Sequence, residues 1–261
     1  MISPLRLERQ GPVARVVLCR PDVHNAFDDL VISHLHRAAL ELGADDGIRA
    51  VVLASEGPSF SAGADLRWMR RMADAGESEN RADALAMARM FEAWYRLPRP
   101  VVGRIQGPAL GGGVGLVSVC DIAVASTDAV FGFTEVRLGI LPAVISPFAA
   151  TRIGPAAARE LFLTGERFPA ERALEIGLVQ RVVAPADLDV AVERVLADLL
   201  SGGPRAQASI KILLGEIAGR SPEDVRDLTA KTIAQARAGE EGQEGIRAFL
   251  ERRAPAWREK P

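Results

Sequence analysis

Short, nearly continuous apolar runs alternate with amphipathic stretches through the first part of the chain. Residues 13–19, 50–54, 101–105, 122–125 and 130–133 are rich in β-branched side chains, as strands covered on both faces are. Between the first two runs, Leu30, Val31, Leu35, Ala38, Ala39 and Leu42 recur at helical spacing. Asp28 and Asp29 stand at the start of that stretch and Gly43 just beyond it, so the pattern predicts a capped amphipathic helix over 28–42. A second helical pattern covers 82–95 and is stopped by Pro98 and Pro100, and a third covers 113–120. Strands alternating with helices predict an α/β core.

From Pro155 onward the strand signal shrinks to Val182 and Val183, while 187–200, 204–217 and 222–237 read as successive helices. The expected division is an α/β core over 1–195 and a helical C-terminal region over 196–261. Leu188, Val192, Val195, Leu196 and Leu199 line one stripe of the first of these helices. That stripe needs an apolar partner in the core, in another helix or in a neighbouring subunit. The longest apolar stretch, 110–125, is interrupted by Asp121 and falls short of the roughly 20 residues of a spanning helix, so it predicts core and no membrane partner.

Composition narrows the class of protein only modestly. At 261 residues, 48% hydrophobic and 25% charged, the chain can bury a sizeable core and act as an enzyme unaided. A formal net charge of −2 argues against a general nucleic-acid binder. Cys19 and Cys120 each sit inside an apolar pattern, which indicates neither a disulfide framework nor a metal cluster and fits a reducing cytoplasm. Residues 1–11 carry Arg6, Glu8 and Arg9 without a hydrophobic run and do not read as a secretory signal.

Candidate chemistry begins at the glycine run GPALGGGVG, 107–115, which leads straight into the third helical pattern. Backbone free of side chains at a helix N-terminus presents bare N–H donors. SFSAGADLRWM, 59–69, repeats the arrangement: a small-residue turn follows an apolar strand and precedes a helical start. Two such turns, each aiming one N–H at one oxygen, supply what an enolate or other oxyanion requires. Glu135 follows in FGFTEVRLG, where it can place a carboxylate beside the donors.

The paired SAGADL and GPALGGGVGL turns, with TEVRLGILP after them and TGERFPAERALEIGLVQRVV later, resemble the crotonase, or enoyl-CoA hydratase/isomerase, family over nearly the whole chain. The resemblance implies an α/β spiral of ββα units with a helical C-terminal region serving trimerisation or as a lid. It also implies homotrimers that commonly pair into homohexamers, and an acyl-CoA thioester substrate with no cofactor beyond the coenzyme A of that substrate. Carried over residue by residue, the thioester oxygen is held by the main-chain N–H groups of Ala64 and Gly112, and Glu135 handles the α-proton. Gly115 stands where the family's hydratases usually carry a second, water-positioning glutamate. Arg67 and Arg252 match basic positions that contact coenzyme A, Phe249 matches an aromatic near the adenine, and Ala62, Asp65 and Leu66 of the first turn join the expected substrate contacts.

A single carboxylate suffices for a Δ3-Δ2 double-bond shift, whereas hydration must add both oxygen and hydrogen. FTEVRLGILPAVISPF, preceded by GGGVGLVSVCDIA, is similar to a hydratase branch acting on methylglutaconyl-CoA and carboxygeranoyl-CoA, substrates with an extra carboxylate. Enoyl-CoA hydratase is therefore the first expectation, the isomerase the second, and a non-catalytic CoA-binding protein the third. Other features carry less. His34 and His36 point to different sides of one helix and make a poor metal pair, so no metal is assigned. Ser59, Ser61 and Ser118 have no histidine paired with them by motif, and Asp65 and Asp121 also read as turn or cap residues. Walker and dinucleotide-binding fingerprints are absent. Trp68, Met69, Met87, Phe91 and Trp94 are candidates for the wall of an acyl pocket as well as for ordinary core.

Overall fold

The predicted apolar runs become the strands of one sheet. The computed structural model describes residues 3–258, so the outermost residues of both expected regions, 1–2 and 259–261, lie outside the described residues. β1 (Leu5–Gln10) and β2 (Val13–Leu18) form an antiparallel hairpin through Gly11, whose φ of +56° suits the turn. β3 (Ala50–Ser55), β4 (Val101–Ile105), β6 (Ile122–Ser126) and β9 (Arg181–Val183) then add in parallel to give the order β1-β2-β3-β4-β6-β9. A smaller sheet holds β5 (Ala109–Leu110), β7 (Val130–Gly132) and β8 (Arg167–Pro169).

Single bridges between Phe27 and Ala64 and between Ser61 and Ala109 extend the smaller sheet backwards along the chain. Each passage therefore visits the large sheet, then the small one, then a helix. β2 leads to Phe27 and α1 (Asp29–Ala44); β3 to residues 61–64 and then α2 (Leu66–Asp74) and α3 (Glu77–Tyr95). β4 leads to β5 and α4 (Gly112–Val119), and β6 to β7 and α5 (Ser146–Thr164). This repetition is a spiral of ββα units.

Two apolar layers flank the large sheet. On one face α1, α3, α4 and α5 bury Leu35, Phe91, Trp94, Leu116 and Ala149 with Phe27 and Leu53, and the Trp94 indole N–H donates to the Leu35 carbonyl at 3.0 Å. On the other face α7 (Leu188–Ser201), which follows α6 (Ala170–Glu175), sets Leu188, Val192, Val195 and Leu196 against Val13, Val52, Val102 and Val124. The expected division between 195 and 196 thus falls inside a helix whose Val195 and Leu196 are both buried on the sheet. The part that departs from the core begins one helix later.

That part comprises α8 (Pro204–Ile217), α9 (Arg226–Ala238) and α10 (Glu240–Leu250), in which Ala248 is the buried residue. Ile210, Leu214, Ile233, Ile246, Phe249 and Leu250 are exposed. Lys211 ties α8 down through Asp121 Oδ2 at 2.7 Å and the Arg99 carbonyl at 3.1 Å. Arg49 holds the chain end by donating to the carbonyls of Gly202 and Trp257. Among the described residues no helix is long and apolar enough to cross a membrane.

Candidate active site

The two small-residue turns lie against each other. Gly63 has φ +87°, and a Cβ there would stand 2.8 Å from the Leu110 carbonyl oxygen and 3.5 Å from Gly112 N. Gly111 has φ +51° and ψ −120°, a conformation that glycine adopts at little cost. Phe27 pairs with the residues on both sides of Ala64: its N–H donates to the Gly63 carbonyl at 2.6 Å, and its carbonyl accepts from Asp65 N–H at 2.7 Å. Ala64 is consequently turned away from Phe27, and its own N–H has no acceptor among the described residues. Gly112 opens α4, where the first N–H groups lack helical partners, and its N–H is likewise free among the described residues. Both residues line one cavity of about 430 Å³.

Glu135 reaches the same cavity from a 3-10 turn, Thr134–Leu138, that follows β7. A Cβ at Gly111 would lie 3.2 Å from its Oε1, and its Oε2 is buried without a hydrogen-bond partner. Burial pushes the Glu135 carboxyl above the usual carboxylate range, partly offset by its own backbone N–H. It is the only titratable side chain among the described residues that line the cavity. Trp68, Met69, Met87, Leu141, Val144 and Ile145 supply much of the wall, so an acyl group would meet apolar surface nearly everywhere except at the carboxyl and the two amides.

Two unpartnered amides converging beside a buried carboxyl are suited to stabilise an enolate and to move its proton. The enoyl-CoA hydratase/isomerase family model matches residues 8–260. The chain belongs to this family. An enoyl-CoA hydratase from Shewanella pealeana superposes with a TM-score of 0.94 at 40% identity, covering 97% of this chain and 96% of that one. Pseudomonas aeruginosa AtuE gives a TM-score of 0.94 at 37% identity, over 98% and 100% of the two chains. The short-chain-enoyl-CoA hydratase of Clostridium acetobutylicum is 30% identical over 249 residues, 95% of this chain and 94% of that protein. The spiral described above is the crotonase fold.

Within this family member, the expected site residues separate into two groups. Ala62 and Leu66 join Ala64, Gly112 and Glu135 on the cavity. Asp65 does not line it, contrary to its expected place among the substrate contacts. Its Oδ1 caps α2 by accepting from Arg67 N–H at 2.8 Å and Trp68 N–H at 3.3 Å, and its Oδ2 pairs with Arg20 at 3.2 Å, so both oxygens are committed to protein donors. The Arg67 side chain is exposed and off the cavity. Phe249 and Arg252 lie at the exposed end of α10 and do not reach the cavity of their own chain. Of the candidate wall residues, Trp68, Met69 and Met87 line the cavity, while Phe91 and Trp94 are core.

Gly115 is closed off. A Cβ there would collide with Ile145 Cγ2 and stand 2.8 Å from Phe91 Cζ, so the space beyond this position is filled by apolar atoms. Arg20 went unnoticed in the sequence: it bridges Asp28 Oδ2, at the cap of α1, and Asp65 Oδ2, at the cap of α2. Its partners are neighbours only in the folded chain. His24 Nδ1 lies 2.9 Å from Ser59 Oγ, a pairing no motif signalled, but neither residue lines the cavity. Among the described residues no group of His, Cys, Asp and Glu is arranged to hold a metal.

Proposed function

We propose that the protein is an enoyl-CoA hydratase that adds water reversibly across a 2-enoyl-CoA to give a 3-hydroxyacyl-CoA. The observation that supports it best is the convergence of the free Ala64 and Gly112 N–H groups with the buried Glu135 carboxyl on one apolar cavity. The thioester oxygen accepts from both amides, which lowers the cost of placing negative charge there as an enolate. Ionised Glu135 takes a proton from water as the hydroxyl bonds to the β-carbon, then returns that proton to the α-carbon. Proton and hydroxyl both come from one water, so the step balances with no redox cofactor or metal. Relatives named as enoyl-CoA hydratases along nearly the whole chain favour this reading.

A second reading is enoyl-CoA isomerisation, favoured by the filled space at Gly115 and by Glu135 being alone among titratable groups on the cavity. One base there takes a proton from one carbon and returns it two carbons away. Turnover in ¹⁸O-labelled water distinguishes the readings: a 3-hydroxyacyl-CoA carrying one solvent oxygen supports hydration, and a product of unchanged mass with a shifted double bond assigns the isomerase. Acyl-CoA binding without any product leaves a CoA-binding protein.

The exposed apolar residues of α8, α9 and α10 support a homotrimer, with pairing into a homohexamer, in which these helices are covered by neighbouring copies. In that assembly Phe249 and Arg252 would serve the coenzyme of an adjoining subunit, with Arg67 contributing charge from the cavity's own chain.

A further inference from the structure

Ser61 immediately precedes Ala62, where its turn begins to line the cavity, and carries a fully buried hydroxyl that the proposed reaction does not use. Its Oγ donates to the Asn25 carbonyl at 2.9 Å and accepts from the Gly63 N–H at 3.3 Å. A hydroxyl has one proton to give, and the Asn25 carbonyl takes it, which leaves the oxygen to Gly63 as an acceptor. A serine committed in this way is no nucleophile. Among the described residues neither the Asn25 carbonyl nor the Gly63 N–H has another partner.

The backbone of the same residue holds the second glycine turn. Ser61 N–H donates to the Pro108 carbonyl at 3.1 Å, and the Ser61 carbonyl accepts from Leu110 N–H at 2.9 Å. Gly113, one residue past the second unpartnered amide, packs so closely that a Cβ there would collide with the Ser61 carbonyl oxygen and stand 3.0 Å from Ser61 Cβ. Ser61 therefore joins three stretches: the bend at Asn25, the turn that presents Ala64 and the turn that presents Gly112.

What the hydroxyl adds is set by Gly63, which lies between two peptide planes. The plane on its C-terminal side carries the Gly63 carbonyl, pinned by Phe27 N–H at 2.6 Å, together with the Ala64 N–H. The plane on its N-terminal side carries the Gly63 N–H, and Ser61 Oγ pins that one. With φ +87° and no side chain, Gly63 is the residue of the turn freest to rotate between the two planes. Two anchors hold it, whereas one leaves the Ala64 N–H able to swing. A donor that must be re-aimed during the reaction loses the advantage of a preorganised site.

Resting on the oxyanion-hole reading above, we propose that Ser61 is a positioning residue for that hole. Its hydroxyl, without touching substrate, fixes the direction of the Ala64 N–H.

The test compares wild type, Ser61→Ala and Ser118→Ala as intact proteins. Ser118, also buried, likewise donates to a carbonyl, that of Val114 at 2.8 Å, but has no hydrogen bond to either turn. Three quantities are read: turnover of a 2-enoyl-CoA, the dissociation constant of butyryl-CoA, which is saturated and does not react, and the infrared carbonyl stretch of butyryl-CoA labelled with ¹³C at the thioester. Hydrogen bonds to the thioester oxygen lower that frequency, so the band reports on the two amides. For Ser61→Ala, kcat is expected to fall by about tenfold or more, a part of the about 10²–10³ lost when such a donor is deleted outright. Butyryl-CoA should still bind nearly as tightly as to wild type, with a smaller downshift of its carbonyl band. Ser118→Ala is expected to melt lower and to match wild type in all three quantities.

An unchanged kcat, or a lower kcat with the wild-type carbonyl downshift intact, overturns the proposal. Equal losses of turnover and downshift in Ser118→Ala also overturn it, because the effect is then one of packing in general. If Ser61→Ala does not fold, the carbonyl band is read in Ser61→Cys, which keeps a weaker donor and acceptor at the same place. A downshift smaller than in wild type supports the proposal there, and an equal one overturns it. Absence of any downshift in wild type overturns the oxyanion-hole reading itself, and this inference with it.

Discussion

Glu135 Oε1 rests on the face of Gly111 that a side chain would occupy, 3.2 Å from where a Cβ would stand. The same glycine turn delivers the Gly112 N–H to the cavity, so in the proposed mechanism the base, carried by the 3-10 turn after β7, rests on the backbone that presents one oxyanion donor. In the proposed reaction, pre-positioning of this kind would make the proton transfer local: the carboxyl would not have to travel between the α-carbon and the site of charge development.

Replacing Glu135 by Gln removes that transfer and leaves the cavity's shape. Turnover of a 2-enoyl-CoA is expected to fall by about 10²–10⁴-fold, the usual contribution of a positioned acid-base group. Unchanged turnover across a panel of enoyl-CoAs would remove Glu135 from the mechanism. Stability should move the other way. Burial raises the folded-state pKa, so the native protein binds more protons than the unfolded chain between the two values, and stability is lost as pH rises through the folded pKa. At neutral pH Glu135→Gln is therefore expected to melt above wild type, an advantage that fades below the ordinary carboxylate range.

The pH-rate profile of the wild type follows from the same shift. In the proposed mechanism the ionised carboxyl is the active form, so kcat/KM is expected to fall on the acid side with a midpoint above the usual glutamate value of about 4.3. A limb at or below that value would show that burial does not govern this group. The limb should disappear in Glu135→Gln.

Ala64 contributes a backbone N–H and little else, which makes proline the informative substitution. Ala64→Pro deletes a donor that has no partner among the described residues, so the ground-state fold loses no hydrogen bond there. A loss of about 10²–10³ in kcat is expected, as for other single oxyanion donors. Circular dichroism and the melting temperature separate this from unfolding, and an unaffected kcat in a folded variant would reject the two-amide site.

Arg20 holds the turn from behind by joining Asp28 and Asp65, the caps of α1 and α2, at 2.8 and 3.2 Å. All three side chains are largely shielded, so removing the guanidinium leaves two carboxylates short of a partner. Arg20→Met is expected to cost about 2 kcal/mol, in the range for hydrogen bonds to charged groups, read as a drop of several degrees in Tm. A Tm within one degree of wild type would mean that the caps stand without the bridge.

The sequence made these features legible to different degrees. GPALGGGVG and SAGADL stand out because glycine and small residues at strand exits have a direct backbone reason, positive φ at Gly63 and Gly111. The buried parallel strands show as apolar runs for an equally direct reason. β1 does not, because LRLERQ is an exposed edge strand that presents no buried face. β5 is two residues long, and Phe27 and Ser61 pair as single bridges, too short to carry any period. Asp65 looked like a substrate contact as well as a cap because its partner Arg20 lies 45 residues away in sequence. The closure of Gly115 by Ile145 is invisible for the same reason. It depends on where α5 starts in space, not on anything beside the glycine.

That closure makes Gly115→Glu the most direct test of single-carboxylate catalysis. A glutamate at 115 is the residue the family's hydratases usually carry there, so sequence alone suggests that the substitution restores a second acid-base group. The packing predicts otherwise. Its Cβ would overlap Ile145 and come within 2.8 Å of the fully buried Phe91, and its carboxylate would enter apolar surroundings. Overpacking alone costs about 1–3 kcal/mol, and an unpaired charge adds to that. Gly115→Glu is expected to melt well below wild type and to incorporate solvent oxygen no faster. Ile145→Ala removes the methyl that collides, so Gly115→Glu made in that background should recover part of the lost Tm. A stable single variant with faster hydration would show that Ile145 and Phe91 yield readily, and that the missing glutamate, not the packing, limits the reaction.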